Sequence, residues 1–210
     1  MPFDHNDHYH RLLLRHLPRP CGRALDVGCG TGTFARRLAG LGIDVDAIDP
    51  SAEAIAAARA LSARTPGDRA PNWRQADVTA VELPGGRYDF ISCLASLHHM
   101  PFGTVAALRD ALAPGGVLVV LGLYVARTPL DHALSLAAVP VNAAARSAVA
   151  VRERLRPPSA AAGRTRVRAP VRAPALSLPE IRAEAAALLP GAVIRRLLFW
   201  RYLLVFRRAG

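Results

Sequence analysis

The sequence predicts an α/β fold built on a parallel sheet, and three observations lead to this prediction. A short apolar run at residues 24–27 is followed by glycines at alternate positions and then by apolar residues at helical spacing. Strand, glycine turn and helix in this order form a ligand-binding unit of α/β sheets. Further strand-like segments alternate with helical ones. An unbroken apolar run at residues 117–121 is typical of a strand buried within a parallel sheet.

Composition fits a single domain over residues 1–210. Hydrophobic residues make up 51% of the chain and charged residues 20%, which is enough to bury a core. The acidic, polar start does not resemble a signal peptide. Cys21, Cys29 and Cys93 are odd in number and lack metal-ligand spacing, so we expect a cytoplasmic protein with no disulfide framework and no metal site.

The charge of the chain is strongly basic, with a formal net charge of +11. Such a charge raises nucleic acid or an acidic membrane surface as a partner. All 27 basic residues are arginine, however, which together with the alanine content indicates coding bias in a GC-rich genome. Nucleic acid therefore stays an alternative, and the sequence carries no signal for an oligomeric state.

The first 20 residues precede the sheet. Residues 9–17 predict an amphipathic helix that Pro18 and Pro20 stop. Two interpretations stay open for this segment. It covers the edge of the sheet, or it is a lid over a ligand, with Tyr9 and His10 near the site.

The glycine turn carries Gly28, Gly30 and Gly32, and its spacing discriminates between ligand classes. Thr33 stands where a dinucleotide fingerprint has its third glycine, and no lysine follows as a phosphate-binding P-loop requires. Glycine allows the backbone to approach a ligand, and the start of the next helix offers free N–H groups beside it.

Two acidic residues follow the next two predicted strands. Residues 43–48 alternate like a strand and end at Asp49, near the spacing after the first strand at which an acid meets ribose hydroxyls. Pro50 and Ser51 then begin a helix to about residue 63. Residues 73–78 predict a short third strand with its turn, where Asp77 either accepts a hydrogen bond from an adenine amino group or merely ends the strand.

The second half continues the alternation. Predicted strands at residues 88–94 and 117–121 flank a helix at 104–112, and a capping box at Ser177 and Glu180 begins a helix to about residue 189. Two last β segments, 192–198 and 200–207, suit the final strands of the sheet.

Residues 123–176 predict an insertion on the substrate side of the sheet. Residues 130–151 are apolar but interrupted by Pro140, Asn142 and Arg146, so we expect two helices over the sheet edge rather than a transmembrane span. Residues 152–174 are rich in proline and arginine and predict an irregular loop.

The motif D-x-G-x-G-x-G at residues 26–32 resembles the first motif of the class I S-adenosylmethionine (SAM)-dependent methyltransferases. The Leu-Ala-Pro-Gly-Gly at 112–116 and the Leu-His-His at 97–99 are similar to landmarks of the small-molecule subgroup that includes ubiquinone and menaquinone methyltransferases. The resemblance implies a Rossmann-like seven-stranded sheet, order 3-2-1-4-5-7-6, with an antiparallel last strand and helices on both faces. No Asn/Asp-Pro-Pro-Tyr/Phe follows the fourth strand, which argues against the adenine-N6 and glutamine-amide methylases.

The resemblance also implies SAM as cofactor and a set of residues around it. The glycine turn would hold the methionine end, Asp49 the ribose and Asp77 with Val78 the adenine. Leu94 and Ala95, at the tip of strand four, would contact the cofactor from the substrate side. The expected cofactor-binding residues are Asp26, Gly28, Cys29, Gly30, Asp49, Pro50, Asp77, Val78, Leu94 and Tyr9.

His98 and His99 lie at the predicted carboxyl edge of the sheet and are the candidate catalytic residues. One of them is a candidate general base, because histidine titrates near neutrality; the alternative is that both only support the cofactor pocket. Three functions follow: a methyltransferase for a small molecule such as a secondary metabolite or quinone-like compound, an RNA or protein methyltransferase that uses the arginine-rich loop at 152–172, and a non-catalytic SAM-binding protein.

Overall fold

A computed structural model describes residues 5–64, 69–127, 173–198 and 200–210, with side chains from residue 9 onward. Seven strands form one sheet in the order β3-β2-β1-β4-β5-β7-β6. The strands are β1 Arg23–Val27, β2 Asp44–Asp49, β3 Asn72–Gln75, β4 Tyr88–Leu94, β5 Leu112–Leu123, β6 Val193–Arg196 and β7 Arg201–Arg207. The helices are α1 His5–Leu14, α2 Thr33–Ala39, α3 Ala52–Ser62, α4 Thr104–Ala111 and α5 Leu178–Leu188, with a 3₁₀ turn at Leu97–His99.

The strand directions confirm the predicted sheet. Neighbouring strands from β3 through β5 pair in parallel, whereas β7 pairs antiparallel with both β5 and β6. In register, Val27 of β1 lies beside Ile48 of β2 and Cys93 of β4. The carboxyl ends of these three strands therefore meet at one edge, where α/β sheets place their ligands.

Both faces of the sheet are covered, as the apolar central strands predict. One core cluster joins the sheet to α4 and α5, and the other joins it to α1, α2 and α3. Successive residues of β5 alternate between them, with Leu118 in the first cluster and Val119 in the second. All residues from Val117 to Leu121 are fully buried, so the run at 117–121 is the central strand that its composition predicts.

Several boundaries differ from the predicted ones. The first helix begins at His5 and ends at Leu14, and a tighter turn carries the chain on to Leu17. Strand β3 ends at Gln75, and the turn predicted within residues 73–78 forms at Asp77, which accepts hydrogen bonds from the Thr79 N–H and hydroxyl. Strand β5 begins already at Leu112, with a register shift opposite β4 before Val117.

The predicted capping box is present at the start of α5. The backbone N–H and the hydroxyl of Ser177 both donate to the Glu180 carboxylate, at 2.7 Å and 2.6 Å. Most of the predicted insertion, residues 128–172, lies outside the described residues. Among the helices that the structure describes, none is long and apolar enough to cross a membrane.

Candidate functional site

A cavity of about 660 Å³ opens at the carboxyl ends of β1, β2 and β4. Its walls come from the glycine turn after β1, the ends of β2 and β4, the turn after β3 and one residue of α1. This volume lies within the range of sites that bind small molecules and cofactors. The topology therefore brings together segments far apart in sequence.

The glycine turn is tied to the neighbouring strand. The N–H groups of Gly28 and Cys29 both donate to the Ile48 carbonyl, at 2.8 Å and 3.0 Å. Gly28, Gly30 and Gly32 have φ angles of 66°, 54° and 79°, in the left-handed region that favours glycine. The turn is thus a sharply bent backbone fixed against β2.

The three glycines are needed for two different reasons. A Cβ on Gly28 would lie 2.3 Å from the Ser96 Cβ, and one on Gly32 would lie 2.1 Å from the Trp73 ring. A Cβ on Gly30 would meet nothing within 4 Å. Gly28 and Gly32 therefore make room for the protein itself, and Gly30 leaves open space beside the cavity.

Asp49 is held at the end of β2 by two backbone groups. Its Oδ2 accepts the Gly30 N–H at 2.9 Å, and its Oδ1 accepts the Ser51 N–H at 2.9 Å. The carboxylate lines the cavity and is partly exposed. Each oxygen has a further lone pair, so Asp49 can accept two hydroxyl donors without moving.

Asp26 lies deeper on the cavity wall and is 2% exposed. Burial raises the pKa of this carboxyl to about 7; the Ser92 hydrogen bond opposes the rise, and the charge of Asp49 adds to it. The Ser92 hydroxyl donates to Asp26 Oδ1 at 2.7 Å. Two carboxyls at one wall favour a ligand with positive charge.

The turn after β3 supplies a third acid, Asp77. Its Oδ1 accepts both Thr79 donors, which lower the pKa of the carboxyl, and the side chain is exposed. Val78 is buried and lies beside it on the cavity wall. This arrangement places a carboxylate and an apolar side chain at the same end of the cavity.

The end of β4 forms the opposite wall with Leu94, Ala95 and Ser96. Ala95 has a φ of 50°, unusual for a residue with a Cβ, and its N–H donates to the Leu121 carbonyl at 2.7 Å. The Ser96 hydroxyl donates to the Val27 carbonyl at 2.8 Å. These contacts hold the chain in a bend that turns it towards the glycine loop.

The two candidate histidines take different places. His99 lines the cavity, whereas His98 is not among the cavity-lining residues of the described chain. Their rings lie 4.0 Å apart, centroid to centroid. Burial, with His99 and Arg201, lowers the pKa of His98 to about 4, and its Nδ1 is buried with no hydrogen-bond partner among the described residues. His98 is therefore neutral at neutral pH.

Helix α1 reaches the cavity through His10 rather than through Tyr9. His10 is 2% exposed, lines the cavity and packs against Phe34 with ring centroids 4.9 Å apart. The Tyr9 hydroxyl instead donates to the Leu198 carbonyl at 3.3 Å, in the turn between β6 and β7. Tyr9 thus lies away from the place expected for a cofactor contact.

Two further expected residues, Cys29 and Pro50, also line the cavity. Burial raises the pKa of the Cys29 thiol, so it stays protonated and is a poor nucleophile. Cys21, Cys29 and Cys93 are free, and the described residues hold no cluster of three metal-ligating side chains.

Sequence reasoning overlooked Ser92 and Ser96, which hold Asp26 and the β4 bend. The available signal was small: each is a serine in or directly after an apolar strand. Ser92 pairs in register with Asp26, a relation that appears only once the strand order is known.

Comparison with known proteins assigns this site to a family. Residues 25–118 match the family model described as a methyltransferase domain. An uncharacterized methyltransferase of Mycobacterium tuberculosis is 33% identical over 211 residues, covering 98% of this chain and 97% of the relative. The chain belongs to the class I SAM-dependent methyltransferases.

More distant methyltransferases share part of the sequence or the fold. The ubiquinone biosynthesis O-methyltransferase of Xanthomonas campestris pv. campestris is 35% identical over 119 residues, which cover 56% of this chain and 48% of that protein. The magnesium protoporphyrin IX methyltransferase ChlM of Synechocystis PCC 6803, a crystal structure with bound SAH, matches with a TM-score of 0.60. It is 19% identical, and the match covers 97% of this chain and 81% of that chain, so it supports the fold.

Proposed function

We propose that this methyltransferase binds SAM in the cavity and transfers its methyl group to a small-molecule acceptor. The observation that carries the proposal is Asp49, fixed by the Gly30 and Ser51 N–H groups at the cavity wall. A carboxylate already oriented by backbone donors can accept two ribose hydroxyls with little loss of conformational entropy.

The turn after β3 suits the adenine. Val78 provides a buried apolar surface for the ring, and its backbone N–H is a candidate donor to a ring nitrogen. Asp77 uses one oxygen for both Thr79 donors, so the other is available to the exocyclic amino group. Leu94 packs from the β4 side, and Pro50 borders the ribose.

The glycine turn suits the methionine half of the cofactor. Gly30 leaves the space that a side chain would fill, with Gly28 and Cys29 beside it on the wall. SAM carries positive charge on its sulfonium and its amino group. Asp49 supplies complementary negative charge, and Asp26, whose pKa burial raises to about 7, adds to it when it is ionised.

The sulfonium of bound SAM supplies a strongly electrophilic methyl group. The chain then has to orient the acceptor, exclude water and take up a proton from a hydroxyl or ammonium nucleophile. We assign proton uptake to His99, because it lines the cavity. The neutral ring of His98 packs against the His99 ring, and we assign His98 to holding His99 in place rather than to the proton transfer.

The names of related methyltransferases favour a small acceptor. One is named for ubiquinone biosynthesis and another for magnesium protoporphyrin IX. We assign residues 1–210 to one domain, with the first 20 residues and the insertion at 123–176 on the acceptor side. The arginine-rich segment 152–172, on which an RNA or protein acceptor depended, lies outside the described residues.

Calorimetric titration with SAM tests the cofactor site. Replacing Asp49 with alanine is expected to weaken binding by about 1–3 kcal/mol, through lost charged hydrogen bonds. Asp110→Ala is the matched control, because Asp110 is exposed at the end of α4 and pairs with Arg109 away from the cavity. Equal affinities of the wild type and Asp49→Ala would remove Asp49 from the ribose role.

The acceptor is tested with isotope-labelled SAM. Incubation with fractionated small metabolites, RNA and protein is expected to label a small-molecule fraction, read by mass spectrometry. Label in RNA or protein alone would replace the proposed acceptor class, and no label in any fraction despite SAM binding would favour a non-catalytic role.

A further inference from the structure

The β6–β7 hairpin presents an unusual amount of apolar surface to solvent. Of the four exposed large hydrophobic residues in the described parts of the chain, three lie on this hairpin: Val193, Leu198 and Trp200, which are 58%, 40% and 45% exposed. β6 is also the last strand at its edge of the sheet. Exposed apolar residues that gather in one place indicate an interaction surface.

The same hairpin is strongly basic. Residues 191–210 contain five arginines and no acidic residue. Arg195 and Arg207 are both exposed. Arg195 lies opposite Leu203 in the β6–β7 pairing, and Arg207 ends β7. We call Val193, Arg195, Leu198, Trp200 and Arg207 the hairpin face.

Trp200 adds an independent observation. Its φ is 56°, in the left-handed region that glycine and asparagine adopt readily and in which a bulky residue is strained. Its carbonyl accepts the Tyr124 N–H at 3.3 Å, so the turn is anchored to the residue after β5. A strained, half-exposed indole at the tip of a hairpin contributes little to the core, and strain of this kind points to a role in function.

We propose that the hairpin face docks on a lipid bilayer with an anionic surface. Tryptophan prefers the boundary between headgroups and acyl chains, where its ring is buried and its N–H stays hydrated. Arginine at a membrane surface meets anionic headgroups, and its aliphatic stem covers apolar surface. Leu198 and Val193 contribute further area to bury.

Two other occupants fit the face less well. An isologous contact with a second copy of the chain would set this basic face, from a segment without acidic residues, against itself, which like-charge repulsion disfavours. Nucleic acid would pair with the arginines but would not bury the aliphatic Val193 and Leu198. A lipid surface satisfies both the charge and the apolar residues.

The turn of the hairpin, which carries Leu198 and Trp200, is placed where a membrane-dissolved acceptor could pass to the cavity. β7 pairs Arg201 with Leu123 at the carboxyl end of β5, so the hairpin turn lies at the same edge of the sheet as the cavity. The inference concerns the surface alone and does not depend on the proposed cofactor site.

Vesicle flotation and tryptophan fluorescence test the proposal on the full chain. Phosphatidylcholine vesicles that contain phosphatidylglycerol are expected to bind the wild type and shift the Trp200 emission to the blue, and phosphatidylcholine alone is expected to bind much less. Trp73 is 8% exposed and provides the unchanged background. Arg195→Gln with Arg207→Gln should weaken binding by about 30-fold, at roughly 1 kcal/mol for each arginine.

The matched control removes the same charge elsewhere. Arg74→Gln with Arg182→Gln changes exposed arginines on the opposite edge strand and on α5, and it is expected to bind vesicles almost as the wild type does. A second variant, Trp200→Asn, is chosen because it is expected to fold normally. Asparagine tolerates the left-handed turn, so this variant should keep its thermal stability and its SAM affinity while losing vesicle binding.

Three results would overturn the inference. One is equal binding to vesicles with and without phosphatidylglycerol, or no binding to either. Another is RNA binding that depends on Arg195 and Arg207 without any vesicle binding. The third is a concentration-dependent dimer that Trp200→Asn abolishes, again without vesicle binding, which would assign the face to a second copy.

Discussion

Replacing Gly28 and Gly30 with alanine separates the structural role of the glycine turn from its role towards a ligand. Both residues are left-handed, so alanine costs about 1–2 kcal/mol at either position from backbone strain alone. Only at Gly28 does the new Cβ meet protein, 2.3 Å from the Ser96 Cβ. Overpacking adds about 1–3 kcal/mol. We therefore expect Gly28→Ala to lower the free energy of unfolding by about 2–5 kcal/mol and Gly30→Ala by about 1–2 kcal/mol.

Urea unfolding measures both losses, and a double-mutant cycle tests their cause. Ser96→Gly removes the atoms that collide with the new methyl group, so in that background Gly28→Ala should cost no more than Gly30→Ala. Calorimetry should show the reverse order for SAM, since the methyl group of Gly30→Ala enters the open space beside the cavity. Additive losses in the cycle, or SAM affinity unchanged in Gly30→Ala, would refute the separation of roles.

Two further variants test electrostatics and helix capping. Folding raises the pKa of Asp26 from 3.8 to about 7, so between these values the folded chain keeps a proton that the unfolded chain releases, and the free energy of unfolding falls as pH rises. Asp26→Asn should remove this part of the fall in denaturant unfolding across pH, and an unaltered profile would contradict the assignment. Ser177→Ala should cost about 1 kcal/mol at the start of α5, measured in the same way, and no loss would show that the capping box is dispensable.

Elements with strong local signals were predicted well. The run at 117–121 is apolar on both faces, as is required of a central strand in a sheet that is covered on both sides. Ser177 and Glu180 satisfy each other locally, so the start of α5 needed no tertiary information. The strand order and the antiparallel β7 came from the family resemblance, because nothing in a single strand states its neighbours.

Elements decided by competing contacts were predicted less well. The segment 73–78 was predicted as a strand with its turn, but the pattern did not give the boundary between them. Asp77 accepts the Thr79 N–H and forms the turn that follows the end of β3 at Gln75. Tyr9 and His10 were predicted near the site under the interpretation that the first helix is a lid over the ligand. The helix in fact begins four residues earlier, at His5, and His10 is the residue of α1 on the cavity wall.

The candidate site also has features that the sequence predicts and features that it does not. The spacing of Asp26 and Asp49 predicted two acids on adjacent strand ends, and the parallel register of β1 and β2 places both on one cavity wall. The spacing of these acids in the sequence does not predict the protonation state of Asp26. Burial within the sheet raises the pKa of Asp26, and the Ser92 hydroxyl of β4 opposes part of that rise.

Helix α1 connects the cavity to the hairpin through two consecutive residues. His10 forms part of the cavity wall, and Tyr9 donates to the Leu198 carbonyl beside Trp200. Neighbouring helical residues point about 100° apart, so one turn of helix touches both places at once. A ligand that contacts His10 and a surface that contacts Leu198 therefore act on the same turn of helix. Coupling between SAM and vesicle binding would have to be reciprocal, which measurement of SAM affinity with and without anionic vesicles would show directly.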